Sequence, residues 1–146
     1  QYVAAGCQDA TVHFWILKTG EDLQMSGYPV KVRELSWSKD TRFLATGGGN
    51  VPCLWDFSGK GPAGTRPLQL EKHDSNVTAL QFQKSGPLLA SADQEGLLCL
   101  WHPLKGVKLQ DHEPLGSGIS QLTWSPSDDR LAVGTESGAV HLFAVS

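Results

Sequence analysis

The chain has 146 residues, 40 % of them apolar and 18 % charged, with a net charge of −3 and a pI near 5.9. That is the length of one ordinary domain with enough apolar content to bury a core, which excludes a disordered chain. The acidic balance argues against a general grip on nucleic acid, and no apolar run approaches the roughly 18 residues of a membrane-crossing helix, so neither is expected as a partner.

Gln1 leads straight into an apolar strand pattern, with no Met and no signal-type segment, the start expected of a fragment or a processed product. YVAAGCQDATVHFW (2–15) reads as two short apolar runs around a turn, a hairpin closing on Trp15. VRELSWS (32–38) alternates with period two, and FLATGGGNVPCLW (43–55) is a second hairpin, closing on Trp55. SGKGPAGTR (58–66) has glycines and a lysine but not the GxxxxGK[ST] spacing, and no helix follows, so it reads as an exposed connection and not a phosphate loop. VTALQFQ (77–83) then repeats the single strand, and LLASADQEGLLCLW (88–101) repeats the hairpin, turning at Gln94-Glu95-Gly96 and closing on Trp101. ISQLTWS (119–125) and RLAVGTESGAVHLF (130–143) give the pair once more, closing on Phe143.

The closing aromatics Trp15, Trp55, Trp101 and Phe143 are separated by 40, 46 and 42 residues, and each single strand carries Leu-x-aromatic: Leu35/Trp37, Leu80/Phe82 and Leu122/Trp124. No window has a helical apolar period, so the fold class is all-β. A period of about 40–45 residues with four short strands per repeat is the signature of propeller blades built of four antiparallel strands.

On these residues the chain resembles the WD-repeat β-propeller family. Trp55-Asp56 is the dipeptide that names the family, and His73 stands four residues before Val77, as the family's His does before its innermost strand. The resemblance implies one propeller domain over 1–146, in units 1–29 (partial), 30–75, 76–118 and 119–146 (partial). The first unit lacks its innermost strand and the last lacks its outermost. The chain therefore looks like the C-terminal part of a propeller, about three and a half blades of a seven-bladed ring.

In that family an acid in the turn, the His, a Ser or Thr and the Trp form a buried hydrogen-bonded set. The resemblance places it on His73, Ser91, Glu95 and Trp101. Tyr28 and Asn50 stand at the His and acid positions of the second unit; the first keeps Asp9 and Trp15, and the fourth has Ser137 and Phe143. A catalytic triad of His73, Ser91 and Glu95 is the rival reading, and repeat position favours the structural one. Two residues before each aromatic lie His13, Cys53, Cys99 and His141, a set that could be written as a zinc site. Equivalent positions on packed sheets lie about 10 Å apart, whereas zinc needs ligands at about 2.0–2.3 Å. Metal and cofactor are therefore expected to be absent, with these side chains filling the seams between blades. The odd count of Cys7, Cys53 and Cys99, without CxxC spacing, points to a reducing, cytoplasmic setting.

The recognition face implied by the resemblance comprises Gln8, Lys31, Arg33, Asn76, Thr78, Gln94, Gly118, Ser120 and Glu136, of mixed charge. The expected function is a non-catalytic scaffold for protein–protein interaction. The alternatives are an accessory propeller of a catalytic or signalling protein, or an enzyme whose site lies in other blades, since the channel-side strands offer only Arg33 and Glu34 as titratable groups. The expected partners are other proteins or peptides and the N-terminal part of the same propeller, cleaved but docked, or a second copy.

Overall fold

The computed structural model describes residues 1–105 and 107–146. Among them, strands β1 (Tyr2–Gly6), β2 (Val12–Ile16) and β3 (Glu21–Met25) form a three-stranded sheet. Strands β4 (Glu34–Trp37), β5 (Phe43–Gly47), β6 (Cys53–Asp56) and β7 (Leu68–Gln69) form a four-stranded sheet, as do β8 (Val77–Phe82), β9 (Leu89–Asp93), β10 (Leu98–His102) and β11 (Val107–His112). The last, β12 (Ile119–Trp124), β13 (Arg130–Thr135) and β14 (Val140–Ala144), has three. All pairs are antiparallel with neighbours consecutive in the chain. Successive sheets pack face to face, β1 against β4, β4 against β8 and β8 against β12. These are propeller blades, the all-β architecture expected from the period.

The core is divided among the three seams between sheets. The first holds Val12, Phe14, Leu44, Trp55 and Phe57, with Tyr2 and Trp37 stacked beside them and Phe57 edge-on to both at 5.0 and 4.8 Å. The second holds Ala45, Leu54, Leu80, Phe82, Leu89, Cys99 and Trp101, and the third Ala90, Leu98, Leu122, Trp124, Leu131 and Val133. Because a middle sheet is covered on both faces, β5 and β9 are buried at every residue and their sequences do not alternate. The terminal sheets alternate. On β14, Val140 and Leu142 are 76 % and 61 % exposed, in the register that Leu98 and Leu100 occupy on β10 against the fourth sheet.

The innermost strand of each sheet has one edge without a strand beside it, so its backbone groups need other partners. Neighbouring sheets supply them. Ser36 Oγ accepts from the Phe82 N–H at 2.9 Å, Trp124 Nε1 donates to the Gln81 carbonyl at 3.0 Å, and Thr78 Oγ1 donates to the Ile119 carbonyl. At one end of the third seam, Asp128 stands in the left-handed region (φ 60) and its carboxylate accepts three backbone N–H groups, from Lys84 (2.8 Å), Ser85 (2.7 Å) and Gly86 (2.9 Å). Gln83 Nε2 returns a bond to the Asp128 carbonyl at 3.1 Å. The turn is a ready-made anion cradle filled by the next blade. Burial alone would push the Asp128 carboxyl up, but the three donors outweigh it and hold it below the ordinary carboxylate value.

Asp128→Asn keeps a side chain that tolerates the left-handed backbone, removes the charge and turns one of the two accepting oxygens into a donor. It should cost about 1–2 kcal/mol in chemical denaturation at neutral pH. Since the folded carboxyl titrates below its unfolded value of 3.8, this stabilisation is present above that pH and is lost as pH falls through the folded value. The gap between wild type and variant should therefore close in acid.

Candidate functional site

At the opposite end of the sheets, the leads into the innermost strands meet the second-to-third-strand turns. The Val77 N–H bonds to the Gly49 carbonyl (2.9 Å), joining the second and third sheets, and the Gln94 N–H bonds to the Asn76 carbonyl (3.1 Å). Asn50 Nδ2 reaches across to the His73 carbonyl at 3.1 Å. Between these segments opens a cavity of about 350 Å³. Lys31, Arg33, Asn76, Thr78 and Gln94, five residues of the expected face, line it together. Val30, Glu34, Gly47, Gly49 and Val77, which the sequence did not single out for the face, complete the wall.

The remaining face residues lie elsewhere. Gln8 is exposed on the β1–β2 turn, and Ser120 bonds the Gly134 carbonyl at 3.3 Å. Glu136 sits by Gly118, where an added Cβ would meet the Gln94 carbonyl at 2.6 Å; only glycine lets these loops approach so closely. In the cavity, the proton of Thr78 is taken up by the Ile119 carbonyl. Burial pushes the Glu34 carboxyl up, opposed by a bond from the Leu80 backbone and by the Arg33 charge.

Beneath this face lies the buried polar set, and here one expectation is corrected. His73 Nε2 is 2.6 Å from Ser91 Oγ, Trp101 Nε1 donates to the same Oγ at 2.8 Å, and His73 Nδ1 meets Asp93, not Glu95, at 2.7 Å. Glu95 is exposed on the turn and only its backbone N–H joins, bonding Asp93 Oδ1 at 2.9 Å. The end of the strand is the reason: Asp93, two residues after Ser91, is the last residue of β9 and shares its face of the sheet, whereas the chain has already turned away at Glu95. The donors balance for a neutral ring, with Trp101 donating to Ser91, Ser91 to Nε2, and Nδ1–H to Asp93. Burial pushes the His73 pKa down despite the Asp93 charge beside it, which favours that neutral form. A Ser-His-Asp relay is thus present, but the His73 and Asp93 side chains are 0 % and 2 % exposed and Ser91 0 %, so no substrate reaches it.

The second sheet solves the same problem differently. Tyr28 stands for the His, and its hydroxyl meets Thr46 Oγ1 at 2.7 Å and accepts from Trp55 Nε1 at 2.9 Å. The position of Asp93 is taken there by Gly48, whose added Cβ would lie 2.8 Å from the Tyr28 ring. Asn50, the residue expected at the acid position, holds the His73 carbonyl instead. In the fourth sheet Val133 and Phe143 replace Ser91 and Trp101, and His112 packs edge-on to Phe143 at 4.9 Å; Ser137 pairs with Thr135 at 2.9 Å. In the first, Ala5 stands at the Ser91 position and Asp9 accepts from Thr11 at 2.6 Å.

His13 stacks on Trp15 and pairs with Asp22 at 3.1 Å, Cys53 packs in the first seam, Cys99 in the second, and His141 stacks on Phe143. Burial pushes the Cys99 thiol up to about 12, which makes it a poor ligand and a poor nucleophile. Among the described residues no three His, Cys, Asp or Glu side chains gather as a metal site requires.

Comparison with known proteins places these features in a family. The sequence model "WD domain, G-beta repeat" matches residues 22–56, 64–102 and 106–143. Each matched repeat begins with the outermost strand of one sheet and ends with the third strand of the next. Histone-binding protein MSI1 of Saccharomyces cerevisiae is 33 % identical over 127 residues, 79 % of this chain and 28 % of that protein. Target of rapamycin complex subunit wat1 of Schizosaccharomyces pombe is 28 % identical over 134 residues, 90 % of this chain and 41 % of that protein. The chain thus spans less than half the length of these curated relatives. A crystal structure of the computationally designed Ika4 protein superposes with a TM-score of 0.83 over 99 % of this chain and 86 % of that one, at 24 % identity, a likeness of fold.

Trp101→Phe should destabilise the protein more than Trp15→Phe, by about 1–3 kcal/mol, because it leaves the buried Ser91 hydroxyl without its donor, whereas half-buried Trp15 has no side-chain hydrogen bond among the described residues. Thermal midpoints of the two variants check it, and equal shifts would count against the set. With the folded His73 below its ordinary 6.5, its contribution is fully present above that pH and lost as pH falls through the folded value. Titrating the thermal midpoint from about pH 7 to about pH 5 should show a decline that His73→Gln reduces.

Proposed function

Because the chain belongs to the WD-repeat family, we propose that it is part of a rigid, non-catalytic scaffold that presents the cavity face to other proteins. Proteins of the matched kind support an interaction role in general: one relative is named as histone-binding and another as a subunit of a complex. The observation that carries the reading to this chain is convergence. Lys31, Arg33, Asn76, Thr78 and Gln94 come from three separate segments and line one cavity on a stiff, sealed base. The Ser91-His73-Asp93 relay is closed to solvent.

The relatives are longer than this chain, and each terminal sheet leaves a face open. We assign those faces to further blades, on the same polypeptide or on a docked companion, in line with the expectation of a divided or continued propeller. No helix among the described residues is long and apolar enough to cross a membrane. The proposed setting is the cytoplasm, with protein ligands and neither nucleic acid nor lipid.

A photocrosslinking residue placed at Arg33 or Gln94 should capture a discrete partner protein in cells, while one at Lys84, at the other end of the sheets, should not. Capture through Lys84 with none through Arg33 or Gln94 would move the binding face to the opposite end and refute the assignment.

A further inference from the structure

The charges of the face are mixed in sequence but sorted in space. Glu136 and Gln8 stand outside the cavity, while both cations of the expected face, Lys31 and Arg33, line it. The cavity wall therefore runs against the net charge of −3 of the whole chain. Some cations elsewhere meet carboxylates, Arg42 with Asp56 at 2.9 Å and Lys72 and Lys108 with Asp111 at 3.0 and 2.9 Å, while others such as Lys39 and Lys84 meet none among the described residues; Lys31 and Arg33 differ in lining one cavity together. Lys31 and Arg33 have no carboxylate within 4.0 Å among the described residues, nor do the side-chain amides of Asn76 and Gln94 make a hydrogen bond there. Glu34, the acid in the described wall, is half-buried.

We propose that the cavity takes an acidic peptide segment, with an Asp or Glu carboxylate held between Lys31 and Arg33 and a neighbouring aliphatic side chain against Val30 and Val77. The proposal rests on the reading of this face as the partner-binding one. The Asn76 and Gln94 amides can both donate to a peptide main chain and accept from it. Val30, 41 % exposed, offers apolar surface beside the cations. A volume of about 350 Å³ exceeds what one carboxylate fills and suits a short run of peptide.

The test uses two dye-labelled short peptides of alternating charged and aliphatic residues, one Glu/Val and one Lys/Val, titrated against the full-length protein by fluorescence anisotropy. A photocrosslinker at Gln94 reports the place of binding. The Glu/Val peptide should bind saturably and crosslink at Gln94. It should weaken by about tenfold or more in Lys31→Glu and Arg33→Glu, the scale of one lost charge-assisted contact, and be unchanged in Lys39→Glu at the other end. Arg33→Gln guards against repulsion between a new acid and Glu34, and should weaken binding as well. Crosslinking by the Lys/Val peptide in place of the Glu/Val one overturns the acidic ligand and leaves the binding face standing. Crosslinking by neither overturns both, and an affinity untouched by all three substitutions at Lys31 and Arg33 overturns their role.

Discussion

A β-sheet with apolar side chains on both faces is stable only between two neighbours, and that constraint organises this protein. The two middle sheets meet it, and their strands β5 and β9 are buried end to end. Each seam then has to dispose of the polar groups that burial traps. The side-chain bonds that cross to the innermost strands, from Ser36, Thr78 and Trp124, and the Asp128 carboxylate in its turn of backbone N–H groups do this at the channel and at one end.

The buried set shows how such a site changes without breaking. Trp101, Ser91, His73 and Asp93 form a chain in which every proton has one acceptor. In the second sheet a Tyr replaces the His, and a glycine stands where the acid would collide with the longer ring. In the fourth, the indole and its hydroxyl partner are both gone, replaced by Phe143 and Val133, so no donor is stranded. Substituting one member alone would leave a buried polar group unpaired, which costs more than the bond itself contributes. Repeats that look degenerate one residue at a time are consistent when read as groups.

Much of the fold was legible because its signals are local. Period-two alternation, Leu-x-aromatic and the recurring hairpin mark the strands, and their spacing marks the blades. Glu95 differs from the expectation because the strand ends before it: Asp93 is the last residue of β9 and shares the face of Ser91, while Glu95 lies past the strand end, on the exposed turn. The cavity was half legible. The family pattern selects Lys31, Arg33, Asn76, Thr78 and Gln94 by position, but nothing along the chain tells which of the face residues meet. Glu34, Gly47 and Gly49 join them only because the turn of one sheet is bonded to the leading strand of the next, as the Val77–Gly49 contact shows.

The offset between matched repeat and sheet has a consequence for how such a chain grows. Each repeat contributes its first strand to the sheet before it, so the covalent chain laces consecutive blades like overlapping courses of brick. A gene duplication that copies one repeat, cut anywhere in its period, inserts one whole blade and leaves every sheet with its strands. A lone repeat, by contrast, owns no complete sheet. Such a chain can therefore lengthen or shorten by whole repeats without breaking a sheet.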